Sequence, residues 1–319
     1  MYKIGIRYGT PHEHHVSKEW FKSIGINETI PFNGTNSNKI IKHGMLSQLL
    51  GMINSDFISR ADVYVLSSTA CASCISTKKG KVITLNSDTF YKDLENAKGI
   101  KKLYMKDLVK CINGIISTSY MMKDLASKFT DVPHEVVYPY CESKFKNINI
   151  DYKVPNICSI GTGISTKGTD VLVKVFRRYY DMFSNSKLFI CGDKIDSLDN
   201  DKNIVWLGKV DPYNYLSKSS IYINTSRHES FGVNVLEAML SGLPTLVTKY
   251  CGVKELVAKV NPWLICNLDV EEIAVKAKIL HFDINLKRHL GEKSRKVALY
   301  YTKEKSVKDF KNAFERLCG

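Results

Sequence analysis

The sequence lacks any apolar run long enough to span a bilayer. Its first residues, MYKIGIRYGTPHEHH, also lack a charged region followed by an apolar core, the pattern of a secretory signal. Internal repeats and low-complexity segments are absent as well. These absences argue against a membrane-spanning, secreted or solenoid protein, and we expect a cytoplasmic one.

Cysteine pairs are almost absent. Nine cysteines are scattered along the chain, and only Cys71 and Cys74 form a CxxC pair. A second pair at zinc-ribbon spacing does not follow, which argues against a structural metal site. Reduced, mostly buried thiols in a cytosolic protein explain the count better.

Positive charge is abundant but not concentrated. The 319 residues include 46 Lys and Arg against 32 Asp and Glu, which gives a net charge of +14 without a basic tail. This excess favours an anionic partner, such as a nucleotide, an anionic membrane contacted peripherally at its cytoplasmic face, or nucleic acid. A basic surface that is merely solvated is the plain alternative.

Short apolar runs alternate with segments of helical periodicity. The runs in the first half are YKIGIR, DVYVLS, KVITLN and GIISTS. After a polar stretch near residue 150 the alternation restarts with NICSIG, LFICG, IVWLG, IYINT, PTLVT and WLIC. The pattern predicts an α/β protein with two doubly wound domains, residues 1–150 and 151–302, followed by a last helix over 303–319.

The first turn of the second domain suits anion binding. Strand NICSI ends at Gly161, the loop TGISTKG follows, and a helix begins after Lys167 and Gly168. Open α/β sheets bind anions where a strand's carboxyl end meets a helix N-terminus. The loop is not a dinucleotide fingerprint, because Thr166 stands where the third glycine belongs. A Lys167 that only faces solvent is the alternative.

A second such turn reads SRHESFGVNVLEAMLSGLPTLVT. Glu229 precedes a helix predicted to start near Phe231 and Gly232. Glu237 lies two turns inside that helix, among aliphatic residues on most of its circumference. A carboxylate in such surroundings needs a partner. The alternatives to a ligand are an internal salt bridge for Glu237 and a helix N-cap for Glu229.

The stretch from Glu229 to Glu237 resembles the E-x7-E signature of retaining GT-B glycosyltransferases of family 4 (glycosyl transferases group 1). The similarity continues through AMLSGLPTLVT, LFICGD, NIVWLGKV and CGVKELV. In the first half, GIISTSYMMKDL and EVVYPYCESKF are similar to family segments more weakly. The resemblance implies a GT-B fold, with two Rossmann-like domains facing across a cleft, and a last helix that crosses back to the first domain.

By this resemblance, the donor is a UDP- or GDP-linked hexose, and no cofactor or metal is needed. Glu237 would bind the ribose, Glu229 the transferred sugar, and Lys167 would neutralise the leaving diphosphate. The other implied donor-binding residues are Gly9, Thr10, Gly161, Thr162, Gly168, Arg227, Ser230, Phe231, Gly232 and Val233.

The acceptor, a glycan, lipid or protein hydroxyl, would lie on the first-domain side. There Asp88 is the candidate to position or deprotonate it, and it joins Lys167 and Glu229 as a proposed catalytic residue. The other acceptor-side candidates are Asn86, His12, His14 and His15. A metal site or a merely polar loop is the alternative for the histidines.

The sequence departs from the family at three places, one of which is Cys251–Gly252, where the family usually has a glycine pair. Thr162 stands where the family commonly has a basic residue, so Arg227 is a candidate to compensate. Asn86 or Asp88 stands where the family often has a histidine. Two other functions therefore stay open: a sugar-nucleotide-binding protein without transfer activity, and a basic nucleic-acid-binding α/β protein. The second lacks the aromatic or zinc patterns of such modules.

Overall fold

The computed structural model describes residues 4–9, 15–26, 30–31, 62–66, 68–69, 80–198 and 201–319, with residues 4–9 and 30–31 as backbone only. Thr10, His12, His14, Cys71 and Cys74 lie outside the described residues. Contacts divide the chain into unit 1, Met1–Pro139 with Glu304–Gly319, and unit 2, Tyr140–Lys303. The sequence analysis placed the first boundary later, at residue 150.

The segment before residue 150 belongs to unit 2 because it packs there. Its 3-10 turn, Ser143–Asn147, contacts the helix that carries Glu237. Phe145 is buried, and its ring lies 6.4 Å from that of Tyr213. The polar composition of this stretch resembles a linker, and only its single phenylalanine indicates the packing.

Unit 1 has, in its described part, a six-stranded parallel sheet in the order β2-β1-β3-β4-β5-β6. The strands are β1 (Ile4–Gly9), β2 (Ile30–Pro31), β3 (Val63–Leu66), β4 (Lys81–Asn86), β5 (Gly114–Ser117) and β6 (His134–Val136). The helices are α1 (His15–Ser23), α2 (Phe90–Asn96), α3 (Gly99–Lys110) and α4 (Tyr120–Ser127). Strands β3 and β5 are wholly buried, as expected for a parallel sheet covered on both faces.

Unit 2 has a second six-stranded parallel sheet, in the order β12-β11-β10-β7-β8-β9. The strands are β7 (Ile157–Ile160), β8 (Leu188–Cys191), β9 (Ile204–Trp206), β10 (Ile221–Asn224), β11 (Thr245–Thr248) and β12 (Ile265–Cys266). The helices are α5 (Thr169–Tyr180), α6 (Tyr213–Leu216), α7 (Val233–Ser241), α8 (Lys254–Val260), α9 (Val270–Phe282) and α10 (Ile284–Ala298). Counted within the unit, this is the doubly wound order 3-2-1-4-5-6.

The last helix, α11 (Lys303–Cys318), packs within unit 1 from Glu304 onward. The Trp20 indole stacks on Phe310 at 5.2 Å between ring centroids, and its N–H donates to the Ser306 hydroxyl at 2.9 Å. Residues distant in sequence therefore share one core. In the described part of the chain, every helix is too short or too polar to cross a bilayer.

Candidate functional site

The two glycine-containing turns singled out in the sequence lie side by side in unit 2. From β7 the chain winds to one side of the sheet through β8 and β9, and from β10 to the other side through β11 and β12. The carboxyl ends of β7 and β10 therefore flank a topological switch point, where open α/β sheets form their ligand crevice. The loops 161–168 and 225–232 leave from these two strand ends.

The two loops touch at Gly168, the N-cap of α5. Its φ of +63° is in the left-handed region, and a Cβ there would lie 2.1 Å from the carbonyl oxygen of Thr225. The Thr225 hydroxyl donates to the Gly168 carbonyl at 2.9 Å. Only glycine allows this approach, so Gly168 fixes the distance between the loops.

Lys167 and Glu229, predicted from separate motifs, come together at this junction. The Lys167 ammonium donates a charge-assisted hydrogen bond to Glu229 Oε2. Side-chain exposure is 30% for Lys167 and 15% for Glu229. Lys167 is therefore more than a solvated loop residue. Glu229 does not cap α7. The N-cap residue is Gly232, and no side-chain cap hydrogen bond is present at this end of the helix.

Arg227, the candidate to compensate for Thr162, already has a partner in the structure. Its guanidinium makes a bidentate pair with Asp170, with N–O distances of 2.7 and 2.8 Å, and also donates to the Ile164 carbonyl. The same pair lowers the pKa of the Asp170 carboxyl. Arg227 thus holds the 161–168 loop to the 225–232 loop, and its charge is balanced before a phosphate arrives.

Helix α7 begins at Val233, two residues later than predicted. Gly232 has a φ of +100°, and a Cβ there would lie 2.9 Å from the sulfur of Cys251. Phe231, 2% exposed, anchors the turn. The backbone N–H of Glu229 donates to the Tyr250 carbonyl at 3.0 Å, so the loop after β11 supports Ser230 and its neighbours. At the start of α7 the Val235 N–H donates to the Gly232 carbonyl at 3.0 Å and to the Asn234 side-chain oxygen at 2.9 Å, which leaves the N–H groups of Val233 and Asn234 without a partner within the helix.

Glu237 is partly exposed in a helix whose other side is packed. Val235, Ala238 and Met239 are completely buried, as the sequence pattern predicted. Among the described residues the structure gives its carboxylate neither an ion pair nor a hydrogen bond, so the internal salt bridge does not occur there. Burial is the largest effect that raises the Glu237 pKa to about 8, and the charges of Glu142 and Asp211 add to it.

A charged cluster lies near Glu237 at the start of unit 2. The Lys144 ammonium bridges Glu142 and Asp211, at 3.0 and 2.8 Å. This ammonium favours ionisation of Glu237 but does not offset the burial. Sequence reasoning missed the cluster because its members come from a linker-like stretch and a turn after β9.

Other missed residues hold the end of β7 in place. The Asn234 amide donates to the Ile160 carbonyl at 2.7 Å, and the Ile160 N–H donates to the Tyr222 hydroxyl at 3.3 Å. Thr162 packs on Gly192, where a Cβ would lie 2.6 Å from its methyl carbon. The sequence signal that could have identified Asn234 is its polar side chain within an otherwise apolar helix.

The first-domain candidates are placed as follows. Asn86 is 1% exposed, and its amide donates to the Ser117 hydroxyl and the Met122 carbonyl, both at 2.9 Å. The structure thus does not support an acceptor contact for Asn86, because its side chain is buried in unit 1. Asp88, after β4, accepts from the Phe90 N–H at 2.9 Å, and burial raises its pKa. His15 is exposed at the start of α1, and Gly9 ends β1.

Residues 142–297 match the family model described as "Glycosyl transferases group 1". They form a glycosyl transferases group 1 domain. This glycosyltransferase domain includes both loops of the switch point, together with Glu237. The resemblance to glycosyl transferases group 1, stated from the sequence, is therefore confirmed for unit 2.

Two curated proteins are similar to part of the chain. The N-acetyl-alpha-D-glucosaminyl L-malate synthase of Bacillus anthracis is 28% identical over 142 residues, 41% of this chain and 37% of that protein. An uncharacterized glycosyltransferase of Haemophilus influenzae is 31% identical over 170 residues, 49% of this chain and 47% of that protein. The matches thus span less than half the length of either relative.

A solved structure extends the likeness beyond the glycosyltransferase domain. HepE of Anabaena, in complex with UDP-glucose, has a TM-score of 0.75 at 12% identity and covers 99% of both chains. At this identity the similarity shows the fold alone. The fold is GT-B, as predicted.

Proposed function

We propose that this protein transfers a hexose from a nucleoside diphosphate sugar to an acceptor hydroxyl, with retention of anomeric configuration. The observation that carries the proposal is the Glu237 carboxylate. It lies in α7, the helix that follows the 225–232 loop, without a partner among the described residues and with a pKa raised to about 8. A carboxylate kept in such a place at a cost in stability is typical of a binding site. Ribose hydroxyls are the donors that would satisfy it.

The diphosphate would bind where α5 and α7 begin. Both helices have a left-handed glycine as N-cap, and their dipoles point positive potential at this place. In α7 the N–H groups of Val233 and Asn234 would donate to phosphate oxygens, whereas in α5 the Thr169 and Val171 N–H groups already donate to the Gly163 and Gly168 carbonyls. Lys167 is the cation at this place. The diphosphate would compete with Glu229 for the Lys167 ammonium, which frees the carboxylate to accept hydrogen bonds from the sugar hydroxyls.

During transfer the bond between the sugar and the diphosphate breaks, and negative charge develops on the leaving group. Lys167 and the helix N-termini stabilise that charge in our proposal, so a divalent metal is not required. Activity that persists with excess chelator is the expected result. On the acceptor side Asp88 is the proposed residue to position or deprotonate the hydroxyl, which belongs to a glycan, lipid or protein.

The UDP-glucose bound to HepE supports a uridine donor over a guanosine donor. The test is thermal unfolding with UDP, GDP, ADP and their sugars. We expect one uridine or guanosine diphosphate sugar to raise the melting temperature, because a ligand at 100 times its Kd stabilises a protein by about 2.7 kcal/mol. The Glu237→Ala variant loses most of this shift, whereas Glu315→Ala, at an exposed position of α11, keeps it.

Each alternative to the proposed function would give a different experimental result. A shift equal in Glu237→Ala and wild type would contradict the ribose role. Donor binding without transfer or donor hydrolysis would indicate a sugar-nucleotide-binding protein. Strong heparin retention with no response to any nucleotide would favour nucleic-acid binding.

A further inference from the structure

Helix α9 of unit 2 is apolar on both its inward and its outward face. The buried residues of the inward face are Ile273, Ala274, Ala277 and Leu280. The outward face has Val275, Ile279 and Phe282 at its centre, which are 50, 41 and 65% exposed. Because these three positions are four and three residues apart, their side chains form one stripe along the helix. Apolar residues on both faces are typical of a helix that is covered on both, so the outward stripe indicates a partner.

The Phe282 ring is held in place although most of its surface is exposed. It contacts the Phe183 ring edge-on at 5.2 Å between centroids, and the Phe183 ring lies 3.8 Å from that of His281. A hydrogen bond of 2.9 Å between His281 Nδ1 and the Tyr179 hydroxyl connects this cluster to the unit 2 core. A large aromatic side chain that is already ordered loses little entropy on association, which suits it to the centre of an interface.

The charges around the stripe do not favour an anionic partner. Residues 269–283 include four acidic residues and two lysines, in a chain whose net charge is +14. The two aspartates at the ends of this segment, Asp269 and Asp283, are the N-caps of α9 and α10. Nucleic acids and anionic bilayers are bound through an excess of lysine and arginine, which this face does not have. The face therefore fits a protein partner.

Two charges on one edge of the stripe are complementary to each other. Glu271 and Lys278 are seven positions apart, so they lie on the same edge, one turn before and one turn after Val275. Among the described residues Lys278 makes no ion pair, and Glu271 pairs with the exposed Arg178 at 2.8 Å. When two copies of the helix pack antiparallel about a two-fold axis near Val275, equal edges meet in reversed direction. Glu271 of each copy then lies opposite Lys278 of the other.

We propose that this protein forms a two-fold dimer in which the outward face of α9 packs against the same face of a second copy, with the two helices antiparallel. A two-fold interface buries the same surface on both copies, and the order of the charges along α9 meets that condition. Antiparallel packing also brings opposite ends of the two helix dipoles together. The inference is independent of the proposed function.

The size of the face sets the expected strength of the dimer. A helix of 13 residues is about 20 Å long. A face of that length corresponds to the small class of specific interfaces, which bury up to about 600 Å² on each partner. We therefore expect a dissociation constant in the micromolar range.

The experiment is sedimentation equilibrium of the full chain at about 1 to 100 μM, without nucleotide sugar. We expect a monomer–dimer equilibrium. Ile279→Ser/Phe282→Ser should weaken the dimer at least about tenfold, because it removes most of the stripe. Ile100→Ser/Leu103→Ser changes a matched pair on α3 of unit 1, at 75 and 65% exposure, and should leave the dimer unchanged. Equal melting temperatures of the two variants would show that both are folded.

The charged edge allows a sharper test. Glu271→Lys and Lys278→Glu should each weaken the dimer, because like charges then face each other at both contacts. An equimolar mixture of these two variants should form a heterodimer, since one copy supplies both positive charges and the other both negative charges. The double variant Glu271→Lys/Lys278→Glu should associate as the wild type does. Loss in each single variant followed by recovery on mixing is specific to the antiparallel arrangement.

Three results would overturn the proposal. They are a chain that stays monomeric at the highest concentration, a dimer that is unchanged in Ile279→Ser/Phe282→Ser, and single charge reversals that mixing does not rescue. A monomeric chain that binds phosphatidylcholine vesicles only when Phe282 is present would assign the stripe to a lipid surface instead. Nucleotide thermal shifts, measured on the same variants, test the proposed function separately.

Discussion

Glu237→Gln should make the protein more stable in alkaline solution than the wild type. Glutamine has nearly the shape of glutamate but cannot ionise. In the ligand-free wild type, the Glu237 carboxylate must be charged above its pKa of about 8 without an ion-pair or hydrogen-bond partner among the described residues. The substitution removes that charge while it keeps the packing of α7.

The size of the effect follows from the pKa. One pKa unit corresponds to about 1.4 kcal/mol, so a rise from 4.5 to about 8 means an ionisation cost of roughly 5 kcal/mol relative to the unfolded chain. Partial exposure of the side chain reduces this figure, and a glutamine amide in the same place also loses contacts with water. We therefore expect a net gain of about 2 kcal/mol, or roughly 4–8 °C for a unit of this size.

The direction with pH is fixed by proton binding. Between pH 4.5 and about 8 the folded protein holds the Glu237 proton while the unfolded chain has released it, so wild-type stability falls as pH rises through this window. Above about pH 8 the full cost is present, and below 4.5 it is absent. The advantage of Glu237→Gln should thus be largest at pH 8.5–9 and vanish toward pH 4.5.

The assay is thermal unfolding of wild type and Glu237→Gln at pH values from about 5 to 9. The quantity of interest is the difference between the two proteins, in which other titrating groups cancel. Glu315→Gln is the control and should show no trend. A variant less stable than the wild type at pH 9 would refute the reasoning, because it would mean that the carboxylate has a partner in the free protein.

Two further predictions concern single positions in unit 2. Gly168→Ala should destabilise by at least about 3 kcal/mol in chemical denaturation, because its Cβ meets the Thr225 carbonyl; Gly208→Ala, with a φ of +67° and open space, should cost only about 1 kcal/mol. Equal costs would contradict this explanation. Lys287→Met should stabilise at pH 7, since burial lowers the pKa of the fully buried Lys287 to about 8, and the gain should shrink from pH 8 to 10.5, where wild-type stability rises. A gain independent of pH would show that charge is not its cause.

The sequence predicted the parts of the site that depend on local pattern. Strand-end glycines and helix periodicity located Lys167, Gly168 and Gly232, because backbone geometry restricts those positions to few residue types. The full circumference of apolar residues around Glu237 likewise indicated a buried helix. Each of these features depends on residues that are a few positions apart along the chain, and at that distance periodicity is informative.

Contacts between distant segments were not predictable in this way. The pairing of Arg227 with Asp170 changes what the arginine can do, and nothing in either segment indicates it. The burial of Asn86 was not predictable either, because a polar residue at a strand end can face solvent or, as here, hydrogen-bond within the core. The cluster of Glu142, Lys144 and Asp211 depends on a fold contact between a linker-like stretch and a turn.

The ion pair between Arg227 and Asp170 affects how the proposed donor site would neutralise a diphosphate. With Thr162 packed on Gly192 and Arg227 bound to Asp170, Lys167 is the remaining cation among the residues predicted for the donor in unit 2. Its ammonium is already balanced by Glu229, so diphosphate binding must displace one anion with another. The helix N-termini of α5 and α7 would then supply the rest of the positive potential. This explains why the backbone around Gly168 and Gly232 is held by so many contacts: dipoles stabilise charge only when their direction is fixed.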